Sequence, residues 1–413
     1  MRKIKMEKNF TVNDNASKIP LTIKDKLGQG GFGQVFRAVD AEGNSFAVKS
    51  CTINSKNNKG IPNPLELSVM ATLRHPHINR AISIRITDDC VYIIQDLAEC
   101  DLSKLVRKNK KQSDVKFDKS KIREWLYALI SAMSCLHNNK LIHADLKSSN
   151  ILVYKNGTVK LSDFSVITKI IPGKKPFHLV GTATHRPLEN HLRKEWDEKL
   201  DIWSLGCTIY EIIYGVLLFP SQSSFKDTHK EYNTDRFVNC LLDWGENGPV
   251  KQSINIVPTT LSFNKFNLVE DFKKDPCGIN NLLLKMLSLK PENRPSINDI
   301  ISHPYFSGIS LSNSFLLVTE YKEISTKDAN KILYEANSLK LMKEVIELSI
   351  DLYARTMALE GKMSRIRGCF LIAIKILRKD IPKDLKLDSR IFSMEKQICT
   401  YLQFRLHHRG EKH

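Results

Sequence analysis

Four polar residues of complementary chemistry lie in one short stretch of the sequence, at His143, Asp145, Lys147 and Asn150. Transfer of a phosphoryl group needs such a set. The carboxylate of Asp145 can accept the proton of an attacking hydroxyl, and Lys147 can neutralise charge on the transferred group. Asn150 offers an amide oxygen to Mg²⁺. The same spacing also fits a polar loop after a helix, so the interpretation depends on motifs on either side.

A glycine-rich stretch lies upstream and comprises Leu27, Gly28, Gln29, Gly30, Gly31, Phe32, Gly33, Gln34 and Val35. Glycines at this spacing let backbone N–H groups approach phosphates closely. Dinucleotide-binding folds carry the same spacing, but in them a helix follows at once. Here strand-like residues continue to Lys49. The sequence therefore predicts a β-hairpin, with Lys49 on the third strand, where its ammonium would hold the α- and β-phosphates.

Two acids complete the candidate site. Glu66 falls on a predicted helix and is the candidate ion-pair partner of Lys49. Asp163 follows a predicted β-hairpin over residues 151–161, which turns at an Asn-Gly pair. Because a carboxylate is a hard oxygen donor, Asp163 is predicted to be the main Mg²⁺ ligand.

The elements that must position these residues follow from the pattern of apolar residues. Residues 91–94 predict a buried strand. Residues 120–139 predict an amphipathic helix that leads directly into the stretch at His143. The candidate acids and amides therefore lie on loops that regular elements hold in place.

Composition limits the classes of function. The chain has 413 residues and a net charge of +18, from 63 basic and 45 acidic residues. Such an excess favours acidic partners, but the basic residues are scattered and no nucleic-acid-binding motif accompanies them. A solvated basic surface is therefore preferred over nucleic-acid binding. Nine cysteines without a CxxC pair predict neither a disulfide framework nor a zinc site.

The sequence shows neither a secretory signal nor an apolar run long enough to span a membrane. Residues 1–10 are basic but lack the apolar run of a secretory signal. The longest apolar run, at 369–374, is too short to cross a bilayer. Cysteines without a pairing pattern suit a reducing compartment. We therefore expect an intracellular protein, in the cytoplasm or nucleus, that is neither secreted nor bound in a membrane.

Taken in chain order over residues 21–306, these motifs resemble those of the eukaryotic protein kinase family. The resemblance implies an α+β, bilobal protein kinase fold, with a β-rich N-lobe, a helical C-lobe, and ATP and Mg²⁺ bound between them. It implies that the backbone of a hinge at 95–98, including Asp96 and Ala98, holds the adenine. It also implies that Asp101 lies near the ribose.

The same resemblance implies contacts farther along the chain. Thr182 is expected to hydrogen-bond to Asp145 and Lys147, and this combination is similar to that of serine/threonine kinases. Arg294 is expected to be the buried partner of Glu189, in a pair that is structural and not catalytic. Protein hydroxyls are therefore the expected substrates.

Two segments are similar to those of the cyclin-dependent kinases in particular. The stretch 60–76, which includes Glu66, resembles their cyclin-binding helix. The long segment 221–275 resembles their insert. Gly181, however, stands where that group carries a valine that helps to demand proline after the target residue. This weakens the case for proline-directed specificity.

The sequence also departs from the family around the phosphorylation site of its activation loop. Ala144 replaces the arginine that most kinases use to bind a phosphothreonine on that loop. Between Ser165 and Val180 the only hydroxyl is that of Thr168, which comes too early in the loop for this role. A loop phosphate needs an arginine to act through. We therefore infer that loop phosphorylation does not activate this protein.

Three substitutions leave a second function open. Ala144, Ser165 and Leu188 stand where the family carries arginine, glycine and proline. They allow a pseudokinase scaffold that binds partners without catalysis. None of the three does chemistry, so a serine/threonine kinase that transfers the γ-phosphate of MgATP to protein hydroxyls remains the leading hypothesis.

The C-terminal residues follow a different pattern. Residues 321–408 have apolar residues at helical spacing. Three predicted helices, within 348–353, 370–375 and 394–406, resemble successive helices in the first half of a cyclin box. The alternative is a helical tail packed on the large lobe.

The cyclin resemblance assigns roles to two residues. In that family a lysine and a glutamate grip the cyclin-binding helix of the kinase, and the matching residues are Lys375 and Glu395. Lys375 is a lone charge in an apolar helix and is costly to bury without a partner, unless it extends to the surface. The resemblance implies that this domain docks on the helix bearing Glu66, within one chain or between two, and activates the kinase.

The expected organisation has five parts, which are a flexible tail at 1–18, an N-lobe and hinge at 19–98, a C-lobe at 99–306, a linker at 307–320 and an all-α, cyclin-box-like domain at 321–413.

Overall fold

The computed structural model describes most of the region 9–309 and selected positions after it. The described residues are 9–14, 17–30, 33–52, 63–86, 90–111, 118–171, 173–219, 241, 278–309, 331–332, 334–335, 339, 365–366, 369–370, 391, 394, 397–398 and 406–408. Several features of the sequence predictions lie outside this set, namely residues 1–8 of the tail, Gly31, Phe32, residues 60–62, most of the segment 221–275, most of the linker 307–320, the predicted helix at 348–353, Lys375 and Glu395.

The described strands and helices are numbered in chain order. The strands are β1 (Asn9–Asp14), β2 (Ser17–Gly30), β3 (Gly33–Val39), β4 (Ser45–Thr52), β5 (Ser83–Ile86), β6 (Cys90–Asp96), β7 (Cys100–Asp101), β8 (Leu141–Ile142), β9 (Ile151–Val153), β10 (Val159–Leu161), β11 (Thr168–Lys169) and β12 (Leu406–His408). The helices are α1 (Pro64–Thr72), α2 (Leu102–Lys111), α3 (Lys119–Asn138), α4 (Leu188–His191), α5 (Lys199–Tyr214), α6 (Ile279–Met286) and α7 (Ile297–Ile301).

The chain forms two compact units. The first takes residues 1–74, 79–98 and 317–413, and the second takes 75–78 and 99–316. The first unit contains a seven-stranded sheet in the order β1-β2-β3-β4-β6-β5-β12. The described residues of the second are mainly helical, and the strands among them are short. This is the strand-rich and helix-rich composition that the bilobal kinase fold predicts.

The sheet of the first unit buries one apolar face. Its core cluster consists of Leu21, Ala38, Val48, Cys90, Tyr92 and Ile94. Side chains alternate between the two faces of a strand. Because Val48 lies in this core, its neighbour Lys49 faces the other side of the sheet. Lys49 pairs across the sheet with Val35 on β3 and with Ile93 on β6.

The N-terminal residues differ from the predicted tail at 1–18. Residues 9–14 form β1, which pairs antiparallel with β2, with Phe10 opposite Leu21. Phe10 and Val12 alternate with polar residues, and both types favour strands. The prediction missed this short alternation because polar residues dominate the segment. As a consequence, Lys49 lies on the fourth strand in chain order and not on the third.

The C-terminal residues also differ from an all-α domain. The described residues of 365–366, 369–370 and 397–398 are helical. Leu406–His408, however, form β12, which pairs in parallel with β5. The prediction of a helix reaching residue 406 was therefore wrong at its end. The edge of β5 presents unpaired backbone groups that a further strand can satisfy.

The second unit contains the predicted helix and hairpin. α3 covers Lys119–Asn138, close to the predicted 120–139, and Asp118 caps its first turn. β9 and β10 form the antiparallel hairpin predicted over 151–161. Among the helices of the described part of the chain, none is long and apolar enough to cross a membrane.

A buried ion pair joins distant parts of the second unit, as the sequence predicted. Arg294 donates from Nη1 and Nη2 to the two carboxylate oxygens of Glu189, at 2.6 and 3.0 Å. Its guanidinium is 5.1 Å from the ring centre of Trp203. Such a two-pronged contact fixes both partners in one geometry. It therefore ties the start of α4 to the segment before α7.

We expect Glu189→Gln to lower the free energy of unfolding by about 3 kcal/mol, because removal of one partner leaves a buried charge uncompensated. Urea unfolding of the full chain, followed by fluorescence, measures the change. Glu124→Gln is the matched control, since Glu124 pairs with Lys121 on the exposed face of α3 and such pairs contribute at most about 1 kcal/mol. Equal losses in the two variants would contradict a structural role for the buried pair.

Candidate active site

An ion pair joins the sheet of the first unit to α1. Lys49 Nζ lies 2.6 Å from Glu66 Oε1. Glu66 is in the first turn of α1, which begins at Pro64 and is capped by the side chain of Asn63. The Glu66 side chain is 1% exposed. A carboxylate so deeply buried needs its cation, so the position of α1 and that of Lys49 depend on each other.

The described residues of the glycine-rich stretch lie at the end of β2 and the start of β3. Gly28 pairs with Val35, and Gly30 pairs with Gly33. A side chain at Gly33 would bring its Cβ within 2.4 Å of the backbone oxygen of Ser50 on β4. Gly33 is therefore required by close packing of β3 on β4, in addition to any approach to phosphates.

In the second unit, three side chains of the candidate site bond to each other. Lys147 Nζ donates to Asp145 Oδ2 and to Thr182 Oγ1, each at 2.7 Å. The Thr182 hydroxyl in turn donates to Asp145 Oδ1 at 2.6 Å. These are the hydrogen bonds that the sequence predicted for Thr182. Both oxygens of the Asp145 carboxylate are thus held in place.

The environment of Asp145 keeps its carboxyl group ionised. Burial alone would raise the pKa of Asp145, but the charge of Lys147 and hydrogen bonds from Lys147 and Thr182 outweigh burial and lower the pKa below its ordinary value. Because the pKa is lower in the folded state, the ionised carboxylate stabilises the fold above its unfolded pKa. That stabilisation is lost as the pH falls through the folded pKa.

Asn150 and Asp163 supply the oxygen donors that a hard cation prefers. The Asn150 amide nitrogen donates to the backbone oxygen of Asp145 at 2.8 Å, and neither this bond nor its contact with the Asp145 carboxylate uses the amide oxygen. The amide and the hydroxyl of Ser162 both donate to the backbone oxygen of Asn150. Hydrogen bonds therefore hold Ser162, the residue before Asp163, next to Asn150. The amide oxygen of Asn150 and the carboxylate of Asp163 are donors that fit Mg²⁺.

Asp163 has an unusual backbone conformation. Its φ of 60° lies in the left-handed region, which residues other than glycine rarely adopt. The next residue, Phe164, is fully buried and packs edge-on against His143, with ring centres 5.4 Å apart. His143 also contacts the backbone oxygen of Ser162 at 3.0 Å. These contacts hold the backbone on both sides of Asp163.

Asp201 is a positioning residue that sequence reasoning missed. It is fully buried in the first turn of α5 and accepts hydrogen bonds from the backbone N–H groups of His143 and Ala144, at 2.8 and 2.9 Å. Its Oδ2 also lies 2.9 Å from His137. The sequence signal was present, because Asp201 is an acid in the first turn of a helix that is mostly apolar.

The backbone before Thr182 is fixed by a close approach. Gly181 has a φ of 75°, and a Cβ there would lie 2.4 Å from the backbone oxygen of Ala144. Arg186 donates to the backbone oxygens of Val180 and Gly181. Glycine thus permits the segment to pass directly over the residue before Asp145.

For the residues predicted to bind the adenine and ribose, the structure gives the local position but no contact that tests the prediction. Asp96 ends β6 and is exposed, and Ala98 is the last residue of the first unit before the chain enters the second. Asp101 lies in the second unit, where its carboxylate accepts from the amide of Lys104 and the hydroxyl of Ser103. Asp101 therefore caps the start of α2, and its contact with ribose stays a prediction.

Comparison with known proteins identifies the family of this chain. The protein kinase domain family matches residues 21–306. The chain is 27% identical over 289 residues to the cell division control protein 2 homolog 3 of Trypanosoma brucei brucei, an alignment that covers 68% of this chain and 90% of that protein. It is 28% identical over 295 residues to the CTD kinase subunit alpha of Schizosaccharomyces pombe, which covers 69% of this chain and 48% of that protein.

We expect Asp201→Leu to release the backbone around Asp145, because it removes the acceptors of two buried amides. Hydrogen exchange of the peptide covering 141–147 should become at least roughly tenfold faster, since each lost bond to a charged group contributes about 1.5–3 kcal/mol. The control is Asp118→Leu, which removes an exposed helix cap and should affect only the first turn of α3. Unchanged exchange in 141–147 would contradict the role given to Asp201.

Proposed function

Because the chain belongs to the protein kinase family, we propose that it transfers the γ-phosphate of MgATP to serine and threonine hydroxyls of protein substrates. The observation that carries this proposal is the bonded set of Asp145, Lys147 and Thr182. The set combines an ionised acceptor, a cation and a hydroxyl that orients both. Phosphoryl transfer depends on such groups, because the protein catalyses it by positioning the reactants and stabilising charge and not by forming a covalent intermediate.

Each of the four candidate site residues in the second unit has a distinct task in this proposal. Asp145 orients the attacking hydroxyl and accepts its proton late in the reaction, as suits a carboxylate whose pKa is low. Lys147 neutralises charge on the transferred group. Asn150 and Asp163 would hold Mg²⁺, which supplies charge neutralisation at the phosphate oxygens when bound.

The residues of the first unit would bind the phosphates of ATP. Lys49 is the candidate for the α- and β-phosphates, and Glu66 fixes its ammonium at 2.6 Å. The hairpin of β2 and β3 would supply backbone N–H groups through the stretch Leu27–Val35. The ion pair gives this unit a lysine whose position is set before catalysis.

We also infer that the C-terminal segment activates the kinase. Two observations support this. The described residues after 317 belong to the same compact unit as α1 and the sheet. β12 extends that sheet by pairing in parallel with β5. A domain joined by a linker acts at an effective concentration on the order of mM, so docking near α1 would keep the Lys49–Glu66 pair closed. The contacts of Lys375 and Glu395 with α1 remain part of this proposal.

The scaffold alternative has less support. The hydrogen bonds that join Asp145, Lys147 and Thr182 involve none of the substituted residues that motivated it, Ala144, Ser165 and Leu188. All the charged groups that phosphoryl transfer needs are present in the sequence. Catalysis is therefore the function that the geometry supports best.

We expect Lys375→Ala combined with Glu395→Ala to reduce phosphorylation of a general acceptor protein by roughly tenfold or more, because two charge-assisted contacts would be lost. The assay uses the full chain with Mg²⁺ and ATP, and Asp145→Asn sets the blank. Lys331→Ala is the control, since Lys331 is an exposed lysine of the same C-terminal segment. Mixing the double variant with the Asp145→Asn chain distinguishes docking within one chain from docking between two.

Three outcomes separate the hypotheses. Rescue in the mixture means that docking occurs between chains. Activity of the double variant equal to that of Lys331→Ala would refute the activator role but leave the kinase. If the wild-type chain does not exceed the Asp145→Asn blank, the kinase proposal fails and the scaffold becomes the better account.

A further inference from the structure

The segment that delivers Thr182 to Asp145 is held from both sides within the second unit. We name residues 173–187 the activation segment. Upstream of it, β11 pairs with β8, and the amide of Ile170 donates to the backbone oxygen of Lys140 at 2.8 Å. Downstream, α4 begins at Leu188. Within the segment the described regular structure is a short 3-10 helix at Ala183–His185 and an isolated bridge between Lys174 and Ile171. Side chains from outside the segment supply further contacts to residues 175–180.

Asn190 supplies two of these side-chain contacts. Its amide nitrogen donates to the backbone oxygen of His178 at 2.9 Å, and its amide oxygen accepts from the backbone N–H of Val180 at 3.1 Å. Asn190 is fully buried. A buried amide with both ends satisfied by the backbone mimics the pairing of a neighbouring strand. It therefore fixes the backbone two residues before Thr182.

Trp196 adds contacts from the loop after α4. Its backbone N–H donates to the backbone oxygen of Pro176 at 2.9 Å. Its indole Nε1 donates to the backbone oxygen of His178 at 3.0 Å, and its ring packs edge-on against the His178 ring. The oxygen of His178 thus accepts from two side chains, which sets the direction of the peptide that follows.

An ion pair lies beside these contacts. Lys175 Nζ lies 2.8 Å from Asp197 Oδ2. The Lys175 side chain is largely exposed, so the pair contributes little by itself. The pair joins the first part of the activation segment to the residue after Trp196. Both of its charges come from side chains, so the contact needs no added phosphate.

An apolar cluster occupies the place where the family carries an arginine. Ala144 packs with Val180 and Trp196, together with Ile142 and Leu200. Ala144 and Trp196 are 1% and 2% exposed. A guanidinium at position 144 would have to be buried among these side chains at a high cost. The residue that would bind a loop phosphate is thus replaced by a contact surface for Trp196.

We propose that Asn190 and Trp196, together with the Lys175–Asp197 pair, form a clasp that fixes the activation segment without a phosphate and so positions Thr182 against Asp145 and Lys147. The proposal rests on the proposed kinase activity and names the residues that replace phosphorylation in it. Asn190 and Trp196 are positioning residues, because they act on the catalytic aspartate only through the backbone of 178–182.

The test uses Trp196→Phe in the full chain, which removes one N–H donor and keeps a ring on His178. We expect kcat/KM for a protein acceptor to fall roughly five- to tenfold, the loss typical of one hydrogen bond. Trp125→Phe is the matched control, since Trp125 Nε1 also donates to a backbone oxygen, that of Gly157, at 2.9 Å. Its kcat/KM should stay within about twofold of wild type.

A second substitution distinguishes positioning from general destabilisation. Thr182→Val removes the hydroxyl through which the clasp acts. Combined with Thr182→Val, Trp196→Phe should reduce kcat/KM by less than about twofold further, because both changes interrupt one path. Trp125→Phe should show no such dependence. Full additivity of Trp196→Phe and Thr182→Val would overturn the proposal.

Hydrogen exchange tests the clasp independently of activity. The peptide covering 176–183 should exchange faster in Trp196→Phe than in wild type. Its exchange rate in Trp125→Phe should equal that of wild type. Equal exchange in both variants would also overturn the proposal. If the wild-type chain shows no transfer above the Asp145→Asn blank, the kinase activity fails, but this comparison of exchange rates still decides whether the clasp exists.

Discussion

The hydrogen-bonded triangle of Asp145, Lys147 and Thr182 is the interaction on which the candidate site of the second unit depends. An ionised carboxylate in a partly buried position is stable only with a cation and donors around it. Lys147 and Thr182 meet this requirement, and Thr182 comes from a segment thirty-seven residues away. The chemistry of the site and the path of the activation segment are therefore one structural problem.

Each part of the triangle has its own support. Asp201 holds the backbone of His143 and Ala144 through two buried hydrogen bonds, and the segment bearing Thr182 is held by Asn190 and Trp196. In the first unit, the Lys49–Glu66 pair has a similar role, since a buried carboxylate on α1 is bound to a lysine on β4. Direct contacts between the chain's own groups account for the geometry in both units.

Much of this could be predicted from the sequence, for physical reasons. Asp145, Lys147, Thr182, Lys49 and Glu66 belong to spaced motifs, and the structure forms the bonds expected among them. Strand β1 was missed because its two apolar residues alternate over too short a stretch, and β12 because helical periodicity does not show that a strand edge is available. Asn190 and Trp196 were missed because they bind backbone atoms, and a backbone contact leaves no complementary residue type in the sequence.

We propose that direct contacts, and not a phosphate, assemble the candidate catalytic residues. The most direct measurement is the initial rate of phosphoryl transfer by the full wild-type chain before and after treatment with a protein phosphatase, with removal of phosphate verified by mass spectrometry. The account predicts the same rate in both samples. A large loss of activity on dephosphorylation, restored when a hydroxyl such as that of Thr168 is phosphorylated again, would contradict it.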